Sequence, residues 1–333
     1  MDSPFVFDWL FEHARRRPDA PAVGTPARWT SYGALAAATR RLAAELEAEG
    51  VEPGAFVVLA LPAGPAAVAG ALAIQALGAC AVEINRDLDA ATIAAVLRQT
   101  GARHAIVHGR DAARWAELAV TRDLVHLHVV HPSAPPARMQ EILSGRRWTW
   151  VAEHEPAGGV GWDAPVRDRG AAALLVYTSG STGEPRGVIQ THENVDANTR
   201  AICRYLELGP DDRALSILPL FYCYGRSILQ THLHVGGSVF FDHRFLYPRV
   251  VIEALAEQRC TGFYGVPLTY ELLRRKVDVA ALRAPTLRYV AQAGGAMHPE
   301  TIAWAREAFA PARLFVMYGQ TEATARLSYL PPE

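Results

Sequence analysis

A chain of 333 residues holds about two domains, or one large composite domain, at roughly 100 to 200 residues per domain. Half of it is hydrophobic and 20% charged, with 22 Pro and 26 Gly spread along its length, which excludes a disordered or collagen-like chain. Its 33 basic and 34 acidic residues leave a formal charge of −1, and like charges run no longer than Arg15-Arg16-Arg17 and Arg274-Arg275-Lys276, so no nucleic-acid partner is expected.

From the N-terminus, the pattern predicts a helix over 8–17, a short strand near Trp29 and a long helix over 31–49. The first residues place their charges after a short apolar stretch, the reverse of a secretory signal, and predict a cytoplasmic protein. Residues 55–82 carry no charge and are long enough to span a bilayer. Pro62, Gly64 and Pro65 interrupt them, so the stretch divides better into a buried strand over 56–61, a helix over 66–77 and a strand over 79–84, with no membrane span. Strands over 104–108 and 124–130 follow. Before them, a helix over 89–100 places Ile93, Val96 and Leu97 on one face. The Pro/Gly-rich stretch 131–170 reads as a long connection broken by a short amphipathic segment over 138–143. A second alternating series has strands over 171–177, 213–217, 238–241, 262–264, 287–291 and 314–317. Strands alternating with helices imply α/β architecture, here two stacked α/β lobes with mainly parallel sheets, joined near 170–198. Cys80, Cys203, Cys223 and Cys260 are too dispersed for a zinc site or a disulfide scaffold and read as buried thiols. His126, His128 and His131 alternate with Leu127, Val129 and Val130 as an ordinary strand, with no carboxylate close behind to complete a metal site.

The most informative segment is Tyr177-Thr178-Ser179-Gly180-Ser181-Thr182-Gly183-Glu184-Pro185-Arg186-Gly187, which follows a predicted strand. Thr178, Ser179, Ser181 and Thr182 supply hydroxyl donors, the glycines let backbone N–H groups turn inward, and Arg186 adds a fixed cation. That combination suits an oligophosphate. The spacing differs from the P-loop of ordinary NTPases, because Gly187-Val188-Ile189 continues as an apolar strand rather than opening a helix. A dinucleotide fingerprint and a Gly-x-Ser-x-Gly nucleophile elbow are absent. A generic Ser/Gly/Thr cluster is compatible with a plain surface turn; the full eleven-residue string is far more specific.

This string closely resembles the phosphate-loop signature of the adenylate-forming superfamily, the acyl-CoA synthetases, nonribosomal-peptide adenylation domains and luciferases, with the pattern Tyr-Thr-Ser-Gly-Ser/Thr-Thr-Gly-x-Pro-Lys-Gly. A second signature of that family, Tyr-Gly-x-Thr-Glu, stands as Tyr318-Gly319-Gln320-Thr321-Glu322, and a third, a Gly-Gly pair between strand and helix, as Gln292-Ala293-Gly294-Gly295-Ala296. Leu218-Pro219-Leu220-Phe221 and Gly78-Ala79 are weaker echoes, and together these cover about 10–330 in the family's order. The resemblance implies ATP-dependent activation of a carboxylic acid to an acyl-AMP with Mg²⁺, and transfer of the acyl group to a thiol of CoA or of an acyl or peptidyl carrier protein. It implies that Thr178, Ser179, Gly180, Ser181, Thr182, Gly183 and Arg186 hold the leaving phosphates and that Thr321 hydrogen-bonds the α-phosphate. Glu322 would coordinate Mg²⁺, Tyr318 and Gly319 would flank the adenine, and Gly294, Gly295 and Ala296 would lie along adenine and acyl groups. Thr178, Arg186, Thr321 and Glu322 are the implied catalytic groups. The implied large domain divides into a first lobe over about 50–195, with the phosphate loop, and a second over 5–49 plus 196–333, with the acyl pocket.

Two departures stand out. Arg186 replaces the family lysine, and with Lys276 the only lysine against 32 arginines, compositional drift accounts for it better than altered function. The family also continues past its Tyr-Gly-x-Thr-Glu loop into a ribose-binding Asp, a hinge and a small C-terminal domain bearing a catalytic lysine. Glu333 stands eleven residues after Glu322, so a truncation, a proteolysed core or one half of a split ligase is expected, poorly active alone. Lys276 reads instead as a solvated helix-end cation. A noncatalytic nucleotide- or acyl-binding module is the alternative function. For the acid, residues 214–241 contain no Asp or Glu to pair an α-ammonium group. Tyr222, Gly225, Arg226 and Gly294 are the expected pocket residues, and an aliphatic or aryl acid is the expected substrate; an anionic second group on Arg226, or Arg226 facing solvent, are the other readings. His232 and His234 read as packed helix histidines.

Overall fold

Why the long uncharged stretch at 55–82 is not a membrane span is visible in the computed structural model, which describes residues 3–120, 124, 126–131, 137–145, 147–152, 161–165, 168–178, 186–279, 281 and 283–332. In chain order these form α1 (Val6–Arg16), β1 (Pro21–Thr25), β2 (Arg28–Ser31), α2 (Tyr32–Ala48), β3 (Phe56–Ala60), α3 (Pro65–Ala76), β4 (Cys80–Glu83), α4 (Ala90–Thr100) and β5 (His104–His108). Next come α5 (Ala112–Val120), β6 (His126–His131), α6 (Ala137–Ile142), β7 (Trp148–Ala152), β8 (Ala172–Thr178), β9 (Arg186–Thr191) and α7 (His192–Leu206). The rest comprises β10 (Arg213–Ser216), α8 (Cys223–Val235), β11 (Ser238–Phe241), α9 (Pro248–Glu257), β12 (Gly262–Gly265), α10 (Pro267–Lys276), β13 (Tyr289–Gln292), α11 (Pro299–Ala308), β14 (Arg313–Gly319) and β15 (Arg326–Leu330). The uncharged stretch is β3, α3 and β4. Every residue of α3 from Ala67 to Ala76 is buried, which is why this helix is apolar all round. No helix among the described residues is long and apolar enough to cross a membrane.

The chain divides into two compact α/β units. The first comprises Asp2–Asp19 and Tyr32–Asn194. Among the described residues its sheet has seven strands in the order β7-β6-β5-β3-β4-β8-β9, parallel except for β9, which runs antiparallel to β8. Strand β3 is wholly apolar and β4 and β5 have apolar centres because both faces are covered, and Val58, Val82, Ile93, Val107 and Trp115 belong to one buried cluster. Asp89 caps α4 by accepting a hydrogen bond from the Thr92 N–H at 2.9 Å, and Gly101 ends that helix in the left-handed region, the usual division of labour between the two ends.

The second unit comprises Ala20–Ser31 and Val195–Glu333. Among the described residues its sheet has eight strands in the order β15-β14-β13-β12-β10-β11-β1-β2. Strands β14, β13, β12, β10, β11 and β1 are mutually parallel, and β15 and β2 close the two edges antiparallel. Leu215, Phe240, Phe263, Tyr270 and Val290 lie in its buried core.

Two expectations are corrected. The helices at 6–16 and 32–48 do not go with the second lobe. α1 buries Val6, Phe7, Trp9 and Leu10 and packs on α2, which packs on α3, so of the segment 5–49 only the β1–β2 hairpin joins the second unit, where Val23 pairs with Val239. The connection over 131–170 also contains a strand, β7, in register with β6 through Trp148, Trp150 and Val151. Its Trp-Thr-Trp-Val pattern suits a strand, but the surrounding Pro and Gly obscure it.

Candidate active site

In the first unit, β8 and β9 form the base of the Ser/Gly/Thr loop. They pair antiparallel from Ala172–Thr191 up to Thr178–Arg186, and the Thr178 hydroxyl donates to the Arg186 carbonyl at 3.4 Å. Tyr177 donates to Gln99 Oε1 at 3.1 Å, and burial pushes its hydroxyl pKa up. Arg186 itself is exposed, a cation whose only cost of display is side-chain entropy. Ser179, Gly180, Ser181, Thr182 and Gly183 lie outside the described residues.

In the second unit, the remaining predicted residues gather where four neighbouring parallel strands, β10, β12, β13 and β14, end. Ligands of open α/β sheets bind at this carboxyl edge. After β10 the chain runs through Leu218–Phe221 into α8, bringing Tyr222, Gly225 and Arg226 into place. After β13, Gly294 adopts φ +87°, a left-handed conformation that favours glycine, and the buried Gln292 side chain donates to the Gly295 carbonyl at 2.7 Å. A Cβ on Gly294 would press on the Tyr222 hydroxyl and on Val266 Cγ1, which shows how closely these loops approach. Gly294, Gly295 and Ala296 are exposed.

After β14, Tyr318 is 60% exposed and Glu322 is exposed, whereas Thr321 is buried and its hydroxyl donates to Cys223 Sγ on α8 at 3.4 Å. Gly319 is needed for close approach: a Cβ there would overlap the Ala325 carbonyl. Thr321–Ala323 form one 3-10 turn, and Thr324 leaves it with φ +74°, a strained conformation for a β-branched residue. The sequence thus folds this loop back sharply on itself, presenting Glu322 outward and Thr321 inward.

Burial sets the electrostatics. It pushes the Tyr222 hydroxyl up, pushes the Cys223 thiol up against the smaller opposing effect of the Thr321 hydrogen bond, and pulls Arg226 down to about 9. Arg226 is therefore still a cation near neutrality, and at 3% exposure it does not face solvent. His232 is fully buried, its Nδ1 2.8 Å from the Ile228 carbonyl, while Lys276 is exposed at the end of α10.

Other residues belong to this edge that the sequence did not single out. Tyr224 and Tyr270 both donate to the Ala291 carbonyl, at 3.1 and 2.8 Å. Arg326, the first residue of β15, is 4% exposed; its Nε donates to Ser227 Oγ at 3.1 Å and its carbonyl accepts from Asn198 Nδ2 at 2.8 Å. The signal available for it was an arginine in a strand immediately after the Thr-Glu loop.

The AMP-binding enzyme family matches residues 10–333. The chain belongs to that family. It is 32% identical over 282 residues to a feruloyl-CoA synthase of Amycolatopsis sp, a match covering 83% of this chain and 52% of that protein. It is 28% identical over 290 residues to a 3-hydroxybenzoate–CoA ligase of Aromatoleum sp. (strain CIB), covering 85% and 52%. The chain thus spans about half the length of these curated relatives. The anthranilate CoA ligase AuaEII, solved in complex with anthranoyl-AMP, superposes with a TM-score of 0.86 at 23% identity, covering 98% of this chain and 62% of that one. The shared fold is the α/β architecture with two mainly parallel sheets expected for adenylate-forming enzymes.

Proposed function

We propose that this member of the family activates a carboxylic acid with ATP. A carboxylate oxygen attacks the α-phosphorus, the bond to the leaving pyrophosphate breaks, and an acyl-AMP forms; in the second half-reaction a thiol of CoA or of a carrier protein attacks the acyl carbonyl, the acyl–phosphate bond breaks, and AMP and the thiol proton are released. The observation that carries this reading is the 318–322 loop, in which one turn buries a hydroxyl against α8 and displays a carboxylate that has no ion-pair partner among the described residues.

The donor set fits Mg²⁺. No group of three His, Cys, Asp or Glu among the described residues could cage a metal, and Mg²⁺ characteristically takes one or two carboxylates and completes its shell with water and substrate phosphates. Glu322 would hold it, and when bound it supplies neutralisation of phosphate charge. Thr321, by rotating its hydroxyl away from Cys223 Sγ, donates to the α-phosphate as charge develops there. Thr178, Ser179, Gly180, Ser181, Thr182, Gly183 and Arg186 receive the departing phosphates, the arginine through charge-assisted hydrogen bonds. The Tyr318 ring and Gly319 flank the adenine, with Gly294, Gly295 and Ala296 beside it, while Tyr222, Gly225 and Arg226 line the acid. In this reading the first unit contributes the phosphate loop and the second the acid pocket. The names of the two CoA-ligating relatives support CoA as acceptor.

Acid-dependent exchange of labelled pyrophosphate into ATP tests the reading, on this chain and on any longer product of its gene. Exchange that requires both an acid and Mg²⁺ is the expected result. Nucleotide binding without exchange, across a broad acid panel and in both proteins, would make it a noncatalytic binding module instead.

A further inference from the structure

Among the described residues, Arg326 is a buried cation without a counter-charge. Its Nε donates to Ser227 and the Tyr205 hydroxyl lies beside the guanidinium; Nη1 and Nη2 are buried without a hydrogen bond of ordinary geometry among the described residues, and no carboxylate there lies within ion-pairing distance. Its guanidinium carbon sits 5.5 Å from the Tyr224 ring centroid and 5.6 Å from that of Tyr264. These faces are favourable for a cation but recover only part of what is lost when an ion leaves water. The neighbouring hydroxyls are not negative charges, since burial pushes the pKa values of Tyr205, Tyr224, Tyr264 and Tyr289 upward. Two of them are also committed elsewhere: Tyr224 donates to Ala291 and Tyr205 to Met317 Sδ at 3.0 Å.

The position matters as much as the charge. Tyr224 and Ser227 belong to the first two turns of α8, and Tyr264 lies at the end of β12, so the guanidinium sits at the carboxyl edge where the acid pocket residues gather. Thr321 meets α8 at Cys223 and Arg326 meets it at Ser227, one helical turn apart, about 6 Å along the axis. An extended acid of about four to six carbon atoms, at roughly 1.3 Å of advance per bond, spans that interval.

We propose that Arg326 binds the second carboxylate of a short dicarboxylic acid whose first carboxylate is the one adenylated. This rests on the function proposed above and replaces the expectation of an aliphatic or aryl tail. The distal carboxylate forms no covalent bond; it accepts from Nη1 and Nη2 in the fork geometry that makes arginine a carboxylate reader, and it supplies the missing counter-charge. Arg226, also buried, adds positive charge to the same helix.

Pyrophosphate exchange with glutarate and adipate, set against pentanoate and hexanoate, decides the matter. A kcat/KM at least tenfold higher for the dicarboxylates is expected, with that preference abolished in Arg326→Gln and only partly kept in Arg326→Lys, which preserves the charge but not the fork. An equal loss for both acid classes would make Arg326 a clamp between β15 and α8 and overturn the proposal. Should the glutamine variant not fold, the acid panel on the unaltered chain still decides: exchange with monocarboxylates alone overturns the dicarboxylate while leaving acid activation standing. Calorimetric titration of glutarate provides a readout without turnover. Binding that the glutamine variant loses supports the proposal, and neither binding nor exchange with any dicarboxylate overturns it.

Discussion

Two hairpins at the edges of two parallel sheets carry the residues assigned to phosphate chemistry, and they are built in opposite ways. β8 and β9 end in a lightly anchored pair: Arg186 is exposed, Thr178 is half-buried, and one weak hydrogen bond joins hydroxyl to carbonyl. β14 and β15 anchor their loop in the interior, through Thr321 on Cys223, Arg326 on Ser227 and a glycine that touches the Ala325 carbonyl. An exposed cation can be replaced with little effect on folding, so its cost of loss should fall on ligand affinity alone. The buried anchors couple ligand binding to stability, and their loss should damage both.

The largest effect should follow Gly319→Ala. The added Cβ must displace backbone, so destabilisation of about 3 kcal/mol or more is expected, at the upper end of overpacking effects; thermal unfolding measures it, and an unchanged Tm would dismiss the close approach. Arg186→Ala should instead weaken ATP by about 1.5 to 3 kcal/mol, the range for charged hydrogen bonds, and AMP much less, with the melting curve unmoved. Equal losses for ATP and AMP in calorimetry would place Arg186 away from the leaving phosphates. Glu322→Gln separates exposure from location, since Glu322 is a solvent-facing residue of the buried-anchored hairpin. Mg²⁺-dependent ATP affinity should fall by about 1.5 kcal/mol while stability stays within about 0.5 kcal/mol, and an unaltered Mg·ATP affinity would remove Glu322 from the site.

The smallest effect, taken per pH unit, concerns the sheet that carries the lightly anchored hairpin. His104 and His128 face each other there, with ring nitrogens 3.5 Å apart. Burial first, and the charge of His126 second, push His104 down to about 4 and His128 to about 3. Unfolded histidine titrates near 6.5, so the unfolded chain binds these protons first. The stability is fully present above about pH 6.5 and is lost as pH falls toward 4, by up to about 1.4 kcal/mol per unit for each histidine. Urea unfolding of the His128→Phe variant between pH 7 and 5 should show a shallower slope than the parent; an identical slope would exclude His128 as its source.

Much of this was legible in the sequence. Alternating apolar strands and amphipathic helices, read with their period, place the parallel sheets, and the hydroxyl–glycine string and the Tyr-Gly-x-Thr-Glu loop mark the chemistry because those residue types have few other reasons to cluster. What local pattern does not encode is long-range pairing. The helices α1 and α2 are sequence neighbours of the β1–β2 hairpin yet pack in the other unit, a choice made by Val6, Phe7, Trp9 and Leu10 against α2 and α3 rather than by any local signal. β7 hid among prolines and glycines. Arg326 was missed for a related reason: an arginine in a strand ordinarily faces water, and only the tertiary environment of Tyr224, Tyr264 and Ser227 shows that this one does not.

The parallel pairing of β1 with β11 has a consequence for how the chain is made. Val23 leaves the ribosome more than two hundred residues before its partner Val239. At a synthesis rate of roughly 5 to 20 residues per second, the early hairpin waits at least about ten seconds for the strand it must join. Throughout that interval its outer backbone groups are unpaired, the state in which strand edges recruit other chains. The second unit is therefore vulnerable during synthesis while β1 and β2 await β11, and chaperone protection of residues 20–31 over that interval should raise its yield.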